Sequence, residues 1–487
     1  MDSPKPGSSP GALDTPLVSP DPHPGPEPVE PRADSGALKR SLGNRHIVMI
    51  ALGGIIGAGL FVGSGAVINS TGPAAVLSYA LSGVLLIFVI RAIGEMAVAR
   101  PSSGSVANFA RLGLGNWAGF SVGWLYWYFW VIVAAIEAVA GAGILSKYVP
   151  VPGWLLCLGL VLLMTGINLL SVKAYGETEF WFASIKILAI VFFICVGALF
   201  LLGVGGRSPG VDNLTTSGGF FPMGVMAAVV GSVTVLFSMG GAEIATIAAA
   251  ESKKPAKYAE KATKQVMHRV FLFYVVSVLL IVAILPWDTS FAGKHISSPF
   301  AVALDHIGIP ATGVVMEAIV LTAVLSSLNS CLYITSRMLF ALSEQGDAPR
   351  SLVKVNRRGI PVRAILAGTS VGYIAVIANY FFPDRVFLFL LNSSGAIQLI
   401  YYLILVAAQI KLRRRLEQTD PGALKLKMWG FPWLSYASLA WMLVVLGLMA
   451  WIPDTRSQLT LSLVSLLAIL GCYWVRLRKG PVVADQG

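Results

Sequence analysis

The chain has 487 residues, of which 56% are hydrophobic and only 12% are charged, with a formal net charge of +12. A soluble globular protein carries about twice that share of charge, so the composition excludes one and reads as an all-α polytopic membrane protein rather than a barrel. A twelve-span reading puts all but six of the 36 lysines and arginines on one side, the exceptions being Lys147, Arg207, Lys294, Arg385 and Arg456 in the opposite loops and Lys186 inside a span. That is the positive-inside asymmetry, and it accounts for the positive charge without nucleic acid.

In chain order, residues 1–45 hold ten of the 27 prolines and few large apolar residues. They read as a disordered cytoplasmic tail and lack the layout of a cleaved signal peptide. The transmembrane domain covers residues 46–480, and 481–487 form a short cytoplasmic C-terminal tail. The spans fall at about 46–68, 73–99, 116–146, 153–170, 177–203, 223–247, 268–286, 311–341, 361–381, 385–410, 431–452 and 456–475. Basic loops follow spans 6, 8 and 10, and residues 287–310 form the longest loop between spans on the other face, the expected outer cap. The four cysteines all lie in spans and have no disulfide or metal spacing. No metal site is expected.

The first span is interrupted by Gly53, Gly54, Gly57, Gly59 and Gly63, where an ordinary span would use leucine. Gly57 lies about 16 Å past His46 along a helix, near the bilayer midplane. Unwound backbone is tolerable there only where it lines a cavity or meets a ligand; the alternative is close helix packing. The sixth span is interrupted in the same way at Phe237-Ser238-Met239-Gly240-Gly241-Ala242-Glu243. Matching breaks in two halves mark a transporter site and an inverted five-plus-five repeat, spans 1–5 and 6–10, with two spans appended.

Several stretches carry a resemblance to a family: Gly94-Glu95-Met96, Gly123-Trp124-Leu125-Tyr126-Trp127, Glu179-Phe180-Trp181-Phe182-Ala183 with Lys186, and Ser327-Leu328-Asn329-Ser330 continuing to Gly346-Asp347-Ala348-Pro349. The chain resembles the amino acid–polyamine–organocation permeases, in their bacterial amino acid permease branch. Within it, Asn392-Ser393-Ser394-Gly395-Ala396-Ile397 and the run from Thr246 to Ser252 are most similar to γ-aminobutyrate permeases. The resemblance implies import of an amino acid across the inner membrane, by alternating access around a site between the breaks of spans 1 and 6. Both termini are then cytoplasmic.

Such a ligand needs donors for its carboxylate and acceptors for its ammonium. Amides around Ala58, Gly59 and Leu60, at the positive end of a half-helix, suit the carboxylate. Carbonyls near Ile56 and at Phe237 and Ser238 suit the ammonium, with Gly57, Gly59, Gly240 and Gly241 allowing close approach. Glu243 is a gate, a proton carrier or a structural hydrogen-bond partner of the broken helix. The resemblance implies that Lys186 stands where sodium-coupled relatives of the fold hold a cation, coupling transport to protons near Ser326 and Ser327; the plainer reading is a lysine that pins helices together. Tyr126, Tyr128 and Trp130 are weaker pocket candidates. Glu137 and Glu317 are buried carboxylates whose partners the sequence does not give, and Ser393-Ser394-Gly395 marks a flexible point in span 10.

The expected function is therefore secondary active import of a neutral or γ-aminobutyrate-like amino acid by proton symport, with the proton gradient as energy source and no cofactor. An exchanger of the same fold and a nutrient-sensing receptor remain as alternatives. No enzyme is expected: Gly119-Phe120-Ser121-Val122-Gly123 fits a nucleophile elbow only in letters, because it lies inside a span.

Overall fold

The computed structural model describes residues 56–101, 105–170, 172–204, 210–250, 254–289, 291, 297–356 and 360–478. Both tails, and the first span through Ile55 with Gly53 and Gly54, lie outside the described residues. All regular structure among the described residues is helical. Short helices α1 (Ala58–Phe61) and α2 (Gly63–Thr71) lead through a turn at Gly72 to α3 (Ala75–Ala99). After α4 (Val106–Leu114) come α5 (Asn116–Leu145), α6 (Gly153–Leu170) and α7 (Val172–Leu201). The stretch expected as a sixth span forms two helices, α8 (Gly224–Ser238) and α9 (Ala242–Ala250). Next, α10 (Pro255–Arg269) passes through a π turn at Val270–Val276 into α11 (Ser277–Ile284). The chain finishes with α12 (Pro299–Ile307), α13 (Thr312–Glu344), α14 (Val362–Phe381), α15 (Pro383–Thr419), α16 (Trp433–Trp451) and α17 (Pro453–Arg478).

Ten helical stretches among the described residues are long and apolar enough to cross a bilayer. One of them, Ala58–Ala99, has 42 residues, twice what a bilayer needs, and it breaks at Gly72, whose φ of +68° only glycine adopts readily. The apolar character of these helices runs all round, so neighbours decide which are interior. In the most apolar part of α5, 83% of the residues are buried, against 17% in α17. Helix α5 is the central post, packed against α13, α15 and α4. On the periphery, α16 carries exposed Trp433 and Trp451 at its two ends, about 27 Å apart along the helix. That spacing matches the aromatic belts at the two faces of a membrane.

The helix leading into the expected seventh span begins at Pro255, before residue 268, with Ala259, Ala262, Thr263 and Val266 forming a buried stripe through the basic segment. Helix α15 runs unbroken through Ser393, Ser394 and Gly395. A Cβ on Gly395 would fall 2.2 Å from the Val233 carbonyl oxygen, so the glycine serves close packing against α8.

Polar clusters tie each end of the bundle. At the basic end, the buried Glu95 carboxylate accepts from Arg413 at 2.6 Å, from Gln409 at 2.9 Å and from the Met428 amide. Asp347 there holds both Arg111 and Arg476. At the opposite end Glu317 pairs with Lys147 and accepts from Tyr148, and that hydrogen bond holds the Tyr148 phenol up at about 12. The loop expected as a cap is anchored here: Asn69 donates to the carbonyls of Trp287 and Thr289 at 2.9 and 2.8 Å, and Ser298 donates to the Phe61 carbonyl at 2.7 Å. Phe300 on α12 packs on Phe61 and Phe193, with ring centres 5.1 and 4.7 Å away.

Candidate functional site

The start of α1 meets the end of α8. A Cβ on Gly59 would lie 2.7 Å from Ser238 Cα, so the first turn of α1 rests directly on the end of α8. Helix α8 stops at Ser238, and the chain turns through Met239, Gly240 and Gly241, the last at φ +89°, before α9 begins. Gly240 faces Phe129 of α5, with a Cβ there only 2.5 Å from the ring. A cavity of about 10 Å³, room for roughly one water, lies at this crossing. Gly59, Trp130, Phe237, Ser238, Gly240 and Ser327 line it, together with Phe129, Val133 and Glu137 of α5.

Ile56 and Leu60 are fully buried. The Ala58 amide donates to both oxygens of Glu137, at 3.1 and 2.9 Å, and Ser327 Oγ donates to the same carboxylate at 2.8 Å. The positive end of the half-helix thus holds a carboxylate, and the protein supplies it. The Leu60 amide donates to the Gly57 carbonyl at 3.3 Å. On α8, the Phe237 carbonyl accepts from the Gly240 amide at 3.1 Å and the Ser238 carbonyl from the Tyr274 hydroxyl at 2.8 Å. A carbonyl oxygen has two lone pairs, so both can still accept from an ammonium. Tyr274 reaches Ser238 from the π turn, a local widening that often marks functional positions.

Lys186 is completely buried on α7, its Nζ 3.7 Å from Glu179 Oε1, and Glu179 is completely buried as well. Ser326 Oγ donates to Glu179 Oε2 at 2.5 Å. Neighbouring serines on α13 therefore bind two different carboxylates, Ser326 that of Glu179 and Ser327 that of Glu137. Lys186 also lies close enough to Glu137 to attract it. The result is a continuous buried cluster from α7 through α13 and α5 to the start of α1, containing one ammonium and two carboxylates.

Glu243 stands apart from this cluster. Its Oε2 accepts from the Gly241 amide at 3.1 Å and from Tyr402 at 3.1 Å, capping the second half-helix of the broken span. Its Oε1 is buried without a hydrogen-bond partner among the described residues. Trp130 belongs to the central cavity, whereas Tyr126, one helical turn away, lines a second and larger cavity toward the basic end. Tyr128 is only partly buried, on another face of α5.

Sequence reasoning missed Glu179, Phe129, Val133 and Tyr274 as site residues and left Glu137 without a partner. Helical spacing holds a signal for most of them. Val133 and Glu137 follow Trp130 at three and seven residues, on one face of α5, and Lys186 follows Glu179 at seven.

The model of the family described as "Amino acid permease" matches residues 46–481. The chain is 50% identical over 446 residues to the "Gamma-aminobutyric acid permease" of Bacillus subtilis, covering 91% of this chain and 94% of that protein. It is 41% identical to the protein of the same name from Escherichia coli, over 90% of this chain and 93% of that one. Among solved structures, the Eremococcus coleocola manganese transporter aligns with a TM-score of 0.55 at 13% identity, covering 90% of this chain and 97% of that one; this is a likeness of fold. With its helical bundle and a family match over nearly all of its length, the chain belongs to the amino acid permease family.

Proposed function

We propose that this chain is a secondary active transporter that imports an amino acid of the neutral or γ-aminobutyrate kind across the cytoplasmic membrane, together with protons. The observation that carries the reading is the crossing of the two breaks at Gly59 and Ser238, beside the buried Glu137, Glu179 and Lys186. Half-helix ends and unwound carbonyls near the midplane suit the two charged ends of an amino acid. High identity to permeases named for γ-aminobutyrate supports that substrate class. Protons are the coupling ion because buried carboxylates and an ammonium in one hydrogen-bonded cluster can exchange them. The proton gradient supplies the drive, and no cofactor is required.

The substrate's carboxylate takes the Ala58 amide when Glu137 gives it up, and its ammonium takes the Phe237 and Ser238 carbonyls. Alternating access then opens the bundle in turn at the Lys147–Glu317 end and at the basic end. The twelve-span, five-plus-five arrangement fits if Ala58–Ala99 counts as two spans divided at Gly72 and α8 with α9 as one interrupted span. The basic segments then face the cytoplasm along with both termini.

A second reading is an amino acid exchanger of the same fold. The pairing of Lys186 with Glu179 favours it, because a compensated ammonium can stay charged throughout. One experiment separates the two: uptake of a panel of radiolabelled amino acids by purified protein in sealed liposomes, with and without an inward proton gradient. Concentrative uptake of γ-aminobutyrate that a protonophore collapses and sodium does not affect supports symport. Uptake only into liposomes preloaded with amino acid makes it an exchanger. Binding without flux would overturn transport in favour of a receptor.

A further inference from the structure

We infer that the permease has a second amino acid site, a carboxylate-binding chamber on the cytoplasmic side of the central one, with Arg337 as its anion-binding group. The inference rests on the transport reading above and extends it to the exit path.

The chamber measures about 280 Å³ and lies between α4, α5, α9 and α13. It is far larger than the central cavity of about 10 Å³ and slightly below the about 300 Å³ at which sites for drug-sized ligands begin. A small amino acid fits that size. The two cavities are consecutive along α5, since Trp130 lines the central one and Tyr126, four residues and about 6 Å earlier, lines the chamber. Their rings meet edge to face with centres 6.0 Å apart and form the partition. On α13 the order is the same: Ser327 belongs to the central site, and Ile334 and Arg337 to the chamber. On α9, Ile244 and Ile247 lie one and two turns beyond the glycine break. A solute leaving the breaks toward the basic end passes the Tyr126–Trp130 partition into this space.

The chamber wall is mostly apolar, and among the described residues its lining contains no carboxylate. It does contain a guanidinium. Arg337 lies over the Tyr333 ring, 4.9 Å from its centre, and its Nε is buried without a hydrogen-bond partner among the described residues. A buried N–H donor left unpaired is costly, and the rest of this partly buried guanidinium extends beside it. A carboxylate is the ligand whose geometry it matches, with two parallel hydrogen bonds to the fork. The walls then cover the aliphatic part of the ligand. In the transport cycle this chamber receives the carboxylate as Glu137 returns to the Ala58 amide.

The test compares right-side-out and inside-out membrane vesicles carrying wild type, Arg337→Ala, Arg337→Lys or Ile334→Trp, with radiolabelled γ-aminobutyrate as substrate and butyrate as a competitor that has only the carboxylate. The expected result is a rise of about tenfold in apparent KM from the cytoplasmic face for Arg337→Ala, the size of one lost charged contact. KM from the outer face should stay unchanged, which also reports an intact fold. Butyrate should compete at the cytoplasmic face of the wild type and not of Arg337→Ala. Arg337→Lys should lie between the two, and Ile334→Trp, which fills the chamber, should raise the cytoplasmic KM by itself. Unchanged cytoplasmic KM in both Arg337→Ala and Ile334→Trp would overturn the proposal, as would equal losses at both faces. An Arg337 effect that disappears in liposomes without anionic lipid would assign the guanidinium to a headgroup and overturn it too. Absence of flux in the wild type would instead sink the transport reading, and this inference with it.

Discussion

The Ala58 amide sits astride the Glu137 carboxylate, donating to both of its oxygens at 3.1 and 2.9 Å. The contact requires glycine at position 57, where a Cβ would fall 2.3 Å from Glu137 Oε1. An acid from α5 thus occupies the half-helix end that suits a substrate carboxylate. Under the transport reading, ligand and Glu137 contend for one donor, which links substrate binding to the charge state of the buried cluster.

Glu137→Gln tests that competition. The amide keeps the shape but lacks the charge, and a charged hydrogen bond contributes about 1.5–3 kcal/mol. Substrate binding to detergent-purified protein is expected to hold or tighten up to about tenfold, while protonophore-sensitive accumulation falls by more than that. Parallel loss of binding and accumulation would mean that Glu137 contacts substrate directly or holds the fold.

Gly59→Ala and Gly63→Ala form a matched pair in the interrupted span. The first places a methyl group 2.7 Å from Ser238 Cα, where backbone must move; the second meets nothing closer than 3.4 Å, at a Leu391 methyl. Overpacking of this kind costs about 1–3 kcal/mol. Gly59→Ala should lower thermal stability in detergent and suppress uptake, whereas Gly63→Ala should retain most of both. Equal behaviour would show that the two breaks do not need to touch.

The helix break at Met239–Gly241 is legible in the sequence, because adjacent glycines inside an apolar run are expensive unless something uses them. Lys186 was legible for the same kind of reason, as an ion at mid-membrane depth. Pairings across helices were not. Ser326 with Glu179 and Ser327 with Glu137 join residues 147 and 190 positions apart, and which serine meets which acid depends on how α13 is rotated. Tyr274 reaches Ser238 only because a π turn shifts its register, and no residue pattern in Val270–Val276 announces one. Tyr126, a weaker pocket candidate in the sequence, lines the next chamber one helical turn from Trp130, a placement that also depends on helix rotation.

Lys186→Ala and Glu179→Gln separate coupling from stability. Removing one member of a buried pair leaves an uncompensated charge, at a cost of about 3–5 kcal/mol. Lys186→Ala alone should therefore lower thermal stability and abolish accumulation. Adding Glu179→Gln should recover much of the stability, because the carboxylate that Lys186 paired with is then neutral, without restoring accumulation. Recovery of both in the double variant would reduce the pair to a structural pin, the plainer of the two readings of Lys186. Full accumulation by the single variant, with wild-type pH dependence, would remove Lys186 from the coupling altogether.

The Glu95 cluster at the basic end gives an ordered prediction. Its carboxylate serves three donors at once, Arg413, Gln409 and the Met428 amide, and so fixes α15 and the segment after it to α3. Glu95→Ala strips all three of their acceptor, and the buried Arg413 keeps Glu417, whose side chain is exposed, and the face of the Phe431 ring. Glu95→Gln retains one acceptor oxygen and loses the charge. Thermal unfolding in detergent should rank wild type above Glu95→Gln and Glu95→Ala lowest, with the last losing about 3–5 kcal/mol. Residues in one network couple, so Glu95→Ala combined with Arg413→Ala should cost less than the two changes added separately. Strict additivity would mean that the ion pair contributes nothing beyond its separate hydrogen bonds, and that α15 is held to α3 by its apolar packing alone.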